Sequence, residues 1–248
     1  MVNRTDPRFT VRQHGASATA VPRAGGASYD AGLRKYMLSV YNYMASGVLL
    51  TGLVAFLFAQ SGMAEQLFYS GGILRWVVML APLGFVLALS FGLNRMSTFA
   101  AQATFWGFAT VMGVSISYIF LAYTNTSIAQ VFFATAAAFA GLSLWGYTTK
   151  KDLSGMGTFL IMGVIGILVA SLINIFVGSS VLQLAISILG VLIFAGLTAY
   201  DTQKIKNIYF QVAGTDFMGK SIVMGALTLY LDFINMFLFL LQLFGNRE

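Results

Sequence analysis

The chain has 248 residues, 58% of them hydrophobic and only 9% charged, with a net charge of +6. A soluble domain could not stay in solution with that balance, so the composition implies an integral membrane protein. There is no cysteine, which excludes disulfides, thiolate metal sites and cysteine nucleophiles.

Residues 1–35 are polar and rich in Gly, Ala, Ser and Arg, and they read as a flexible cytoplasmic tail. The first apolar run begins near Tyr36. It is too long for a secretory signal and lacks the small-residue cleavage pattern, so it should remain as a helix. Seven spans are predicted, at about 37–60, 73–93, 98–122, 128–149, 157–178, 181–204 and 222–244. The connections are short except for roughly 205–221. The runs are of helix length rather than the alternating segments of a barrel, which gives an all-α bundle occupying residues 36–246.

With the N-terminus inside, twelve of the fourteen Lys and Arg residues fall on the cytoplasmic side, and only Arg75 and Arg247 fall outside. The C-terminus is then external. The same bias accounts for the basic pI through lipid topology, and no nucleic-acid partner is expected. Small residues in ATAAAFAG (134–141) and GVIG (163–166) have the spacing of close helix packing, and Trp76 and Trp145 lie near span ends.

Chemistry rests on few residues. The single histidine, His14, lies in the tail, so no histidine triad or metal site is available, and the glycines form no phosphate loop. The last span has no lysine for a retinal Schiff base, and neither intramembrane aspartate has a GxGD-like context, so no enzyme activity and no cofactor are expected. Of eight acidic residues, only Asp201 and Asp232 lie within apolar spans. Burying either one as an isolated anion costs roughly 2.5–3.5 kcal/mol on the most lenient scale. Each therefore needs a partner or a proton.

On the seventh span, Gly225, Thr228, Asp232, Asn235 and Gln242 share a helix face, leaving Phe233, Phe237, Leu238, Leu240 and Leu241 for other directions. On the sixth, Gln183, Ser187, Gly190, Thr198 and Asp201 form a second stripe. If the stripes meet, the two carboxyls share a proton, because both cannot ionise cheaply in a low dielectric. Depth complicates this pairing. Asp232 is about 15 Å into its span from the cytoplasmic side, whereas Asp201 lies close to Lys204, so pairing needs a longer sixth helix or a tilt. The alternative is a solvated Asp201 beside Lys204 and Lys206, with Asp232 protonated or held by neighbours such as Asn235. Arg95, just beyond the second span, is a candidate counter-cation or a simple interfacial anchor.

FAGLTAYDTQKIK (194–206), LTLYLDFINMFLFLLQLFGN (227–246) and TKKDLS (149–154), in a seven-span layout, resemble the Bax inhibitor-1 family, from about Arg34 to Gly245. The resemblance implies six helices around a central seventh and a pH-sensitive calcium leak across the membrane. It assigns the pH sensor to Asp201 and Asp232, and a latch to Arg95, although the family's basic run is here a single arginine. It also favours pairing of the aspartates. Thr198, Thr228 and Asn235 are then pore-facing polar candidates, with calcium as the transported ion. An ending at GNRE suggests a bacterial-type member in the cytoplasmic membrane. The alternative function is a regulatory protein that binds membrane proteases or other membrane proteins through its helix faces.

Overall fold

The computed structural model describes residues 24–69 and 72–247, with side chains from residue 31 onward; His14 and most of the expected tail lie outside the described residues. Its helices are α1 (Ala24–Gln60), α2 (Met63–Tyr69), α3 (Ile73–Gly92), α4 (Thr98–Ile116), α5 (Ile119–Ala122), α6 (Asn125–Thr148), α7 (Ser154–Val177), α8 (Ser180–Val212) and α9 (Met218–Phe244). Seven stretches are long and apolar enough to cross a membrane, α4 and α5 together making the third. The chain is thus an all-α protein built to span a membrane repeatedly.

Two boundaries differ from the sequence expectation. The first helix begins at Ala24, inside the stretch expected to be a flexible tail. From Leu33 onward the reason is visible: Leu33, Tyr36, Met37, Val40 and Met44 are buried at helical spacing, while Arg34 and Lys35 point outward. The sixth span runs on to Val212 rather than stopping near Lys204. Its extension is amphipathic, with Ile205, Tyr209 and Val212 buried and Lys204, Asn207 and Phe210 exposed. The expected loop at 205–221 shrinks to the turn 213–217. Gly214 supplies the left-handed backbone there at φ +77°, and Thr215 Oγ1 donates to the Val212 carbonyl at 2.8 Å.

The helices differ in how much lipid they face. α3 and α7 bury only 11% and 17% of their most apolar windows, whereas α9 buries 61%. α9 packs against α1, α4, α6 and α8. The expected division of its faces therefore fails: Phe233, Phe237 and Leu241 are as buried as Asp232, while Thr228 and Asn235 are half-buried and Gln242 is exposed. A helix covered on several sides has no need of an apolar outer stripe. Tyr230 ties it laterally, lying 2.6 Å from Thr51 Oγ1, whose own proton goes to the Ala109 carbonyl at 2.8 Å.

Of the small residues singled out, Gly163 does mark a close approach, since a Cβ there would lie 2.7 Å from Ile193 Cδ1 of α8, but the others do not. Most of ATAAAFAG is exposed or half-buried, and a Cβ at Gly141 or Gly166 would meet open space. Crossings tight against a neighbouring backbone are at Gly146, where a Cβ would collide with the Ala199 backbone of α8, and at Gly113, where it would meet the Thr51 carbonyl 2.7 Å away. Gly146→Val is expected to lower stability by about 1–3 kcal/mol, as overpacking against backbone does, and Gly141→Ala to leave it unchanged or slightly higher. Thermal unfolding of the two variants in detergent checks this contrast.

Candidate functional site

The seam between α8 and α9 runs antiparallel and is built from the polar stripe of α8. At one end Gln242 Oε1 accepts from Gln183 Nε2 at 2.7 Å and lies 2.9 Å from Ser187 Oγ. Next, Gly190 lies so close to Phe239 that any Cβ would strike its ring, and the same ring stacks on Phe194 with centroids 5.9 Å apart. At the far end Ile205 covers Gly225. Between them lie Asp201 and Asp232, 7% and 4% exposed, with their carboxyl groups in hydrogen-bond contact.

The longer sixth helix removes most of the depth mismatch. At 1.5 Å per residue, Asp201 lies about 16 Å from the Val212 end of α8 and Asp232 about 21 Å from the Met218 end of α9. The two ends are joined by the short turn, so the remaining offset is only about 5 Å, roughly one helical turn. A hydrogen bond between carboxyls requires one of them to carry a proton. Asp232 Oδ2 is buried without a hydrogen-bond partner, which marks the pair as a costly arrangement for the fold to keep.

Other candidates fall differently. Lys204, one turn along from Asp201, is the cation whose field reaches that carboxyl, and its ammonium sits 5.9 Å from the Tyr200 ring centre. Arg95 is exposed in the turn after α3 and makes no ion pair with either aspartate. Thr198, Thr228 and Asn235 all donate to carbonyls of their own helix, those of Phe194, Met224 and Leu231 respectively.

Sequence reasoning missed the polar frame around Asp201. Thr202 Oγ1 donates to the Thr198 carbonyl at 2.7 Å, which leaves its oxygen to accept from Ser143 at 2.8 Å; Ser143 in turn accepts from Tyr41 at 2.7 Å. This chain of hydroxyls links α8, α6 and α1. Gln203 reaches the α6–α7 connection, accepting from the Leu153 N–H and donating to the Lys151 carbonyl, both at 2.8 Å. Lys206 donates to the Tyr147 carbonyl at 2.8 Å. Within that connection, outside the spans, the bonds from the Ser154 side chain and backbone hold the Asp152 carboxyl below the usual carboxylate range. The signal was present: YDTQKIK places Asp201, Thr202, Gln203 and Lys206 on one helix, three of them buried where a cytoplasmic boundary would leave them wet.

Residues 33–248 match the family described as inhibitor of apoptosis-promoting Bax1. The chain belongs to this Bax inhibitor family. Among similar members, an uncharacterized protein of Rickettsia prowazekii (strain Madrid E) is 47% identical over 222 residues, covering 89% of this chain and 93% of that one. The inner membrane protein YbhL of Escherichia coli (strain K12) is 44% identical over 220 residues, covering 88% and 94%. An uncharacterized membrane protein of Streptococcus pyogenes is 35% identical over 228 residues, covering 88% and 96%. These names agree with the seven apolar helices: this Bax inhibitor family member is a multi-pass membrane protein.

Gln203 gives a direct test of the frame. Gln203→Ala strands a buried N–H and is expected to cost about 1–3 kcal/mol. Gln203→Glu keeps the acceptor for Leu153 but cannot, when ionised, donate to Lys151, so it should also destabilise. Thermal unfolding, with protease sensitivity at residues 149–153, measures both.

Proposed function

We propose that the protein is a pH-sensitive leak pathway for cations, with calcium as the transported ion, controlled by the proton shared between Asp201 and Asp232. The observation that carries this reading is the contact of two buried carboxyls at the α8–α9 seam, with Asp232 Oδ2 left unpartnered. With one proton present, the carboxyls hydrogen-bond and hold the helices together. When it leaves, two anions face each other in a low dielectric, and their repulsion biases the bundle towards a second arrangement. Both carboxyls are sheltered from water in the packed form, which supports reading it as the closed one. Flux should then rise as pH rises through the titration of the pair, and an exposed anionic seam would favour cations over anions.

In this reading α9 is the central element, supported by its high burial and its packing on α1, α4, α6 and α8. Arg34, Lys35, Arg95, Lys150, Lys151, Lys204, Lys206 and Lys220 lie at one end of the bundle and Arg75 and Arg247 at the other, in line with a cytoplasmic N-terminus in the cell membrane. Lys204 is already placed to offset charge on Asp201, whereas Arg95 would have to move to act as a latch.

The test is calcium flux into liposomes holding the purified protein alone, across a pH series. The expected result is a pH-dependent leak in the unaltered protein and a pH-independent one in Asp201→Asn and Asp232→Asn. An unchanged pH response in both variants, or no flux without an added protein, would refute the proposal; the latter would favour a regulatory interaction protein.

A further inference from the structure

Between α1 and α6 the bundle leaves a groove. Its first section is a cavity of about 660 Å³, walled by Met37, Met44 and Val48 on one side and by Ala136, Phe139 and Ala140 on the other, with Phe233 of α9 also lining it. A second cavity of about 550 Å³ continues it past Leu49 and Phe132 towards Ile119 and Asn125. The small side chains of the alanine-rich run are what keep it open. From Arg34 to Leu49 the first section is about 22 Å long at the helical rise, enough for a headgroup and the chain depth of one leaflet of a ~30 Å hydrocarbon core.

The mouth has a different chemistry. Arg34 and Leu38 belong both to this cavity and to a neighbouring recess of about 410 Å³, which is completed by Ala31, Lys35, Ser39 and Asn42. Arg34 makes no hydrogen bond or ion pair among the described residues. Lys206, bonded to the Tyr147 carbonyl, and Lys151 add positive charge at the same end of the bundle. An apolar slot opening at a basic, hydroxyl-bearing recess has the chemistry of an anionic phospholipid, and basic pockets between spanning helices hold such headgroups.

We propose that the α1–α6 groove binds one anionic phospholipid, its phosphate on Arg34 in the recess and an acyl chain along Ala136, Ala140 and Phe233. The occupant would abut the aspartate site from outside: Phe233 follows Asp232, and Ser143 in the groove wall bonds Thr202, which follows Asp201. The inference does not depend on ion conduction.

Native mass spectrometry of the full chain released from vesicles of equal phosphatidylglycerol and phosphatidylcholine tests it. The expected result is one retained phosphatidylglycerol per chain. Arg34→Gln should lower that retention about fivefold, the effect of one basic residue near an anionic surface, while Arg75→Gln at the opposite end leaves it unchanged. Ala136→Phe, which fills the slot, should lower retention of both lipids. Arg34 is exposed, so its variant folds irrespective of the groove and decides the matter by itself. Equal retention of the two lipids by the unaltered chain, equal loss in Arg34→Gln and Arg75→Gln, or a second copy of the chain in place of lipid would overturn the proposal.

Discussion

Two carboxyl groups that touch inside a membrane-spanning bundle need a proton between them, and the α8–α9 seam is arranged around that need. Every other polar contact along the seam is neutral and complete: amide to amide at Gln183 and Gln242, hydroxyl to amide at Ser187. Among the described residues of the seam, only Asp232 leaves a buried oxygen unpartnered. The remaining helices supply the close walls that keep water from the pair. α9 is covered on several sides, and glycines at the α6–α8 and α1–α4 crossings let the walls approach to backbone contact. A mismatch of one residue in the antiparallel register would separate the carboxyls and strand each as a lone buried acid, which is far costlier than the shared arrangement.

Much of this was legible in the sequence, for a physical reason. Lipid forces the backbone into helices, so hydropathy alone located seven spans, and the scarcity of charge made Asp201 and Asp232 conspicuous. The Gln183–Ser187–Gly190–Asp201 stripe follows from helical period and does face α9. What was not legible was where the membrane stops mattering. Beyond Lys204 the sequence turns polar, and hydropathy reads a loop; yet Ile205, Tyr209 and Val212 keep the helical period against buried neighbours, and the helix continues. The same holds at the start of α1, where Leu33 begins the buried pattern ahead of the apolar run.

The seventh span shows a second limit. A polar face on a helix implies a dry side and a lipid side only if the helix has a lipid side. Because α9 packs against four other helices, Phe233 and Phe237 are core residues, packed edge-on against Phe132 at 5.5 and 6.0 Å between ring centres. The alanine-rich stretch of α6 fails in the opposite sense: small residues allow close approach without requiring it, and here the neighbouring helix stays away.

The unbroken length of α8 has a mechanical meaning. Its 33 residues make a rod of about 50 Å, well over the thickness of a hydrocarbon core. Asp201 sits on this rod like a pivot, with Gln203 just beyond it fastened to the α6–α7 connection and Lys206 to the last turn of α6. Any small swing forced on the helix at its acidic point is therefore delivered, stiffly and enlarged, to surfaces bathed in water, without any intervening joint to absorb it.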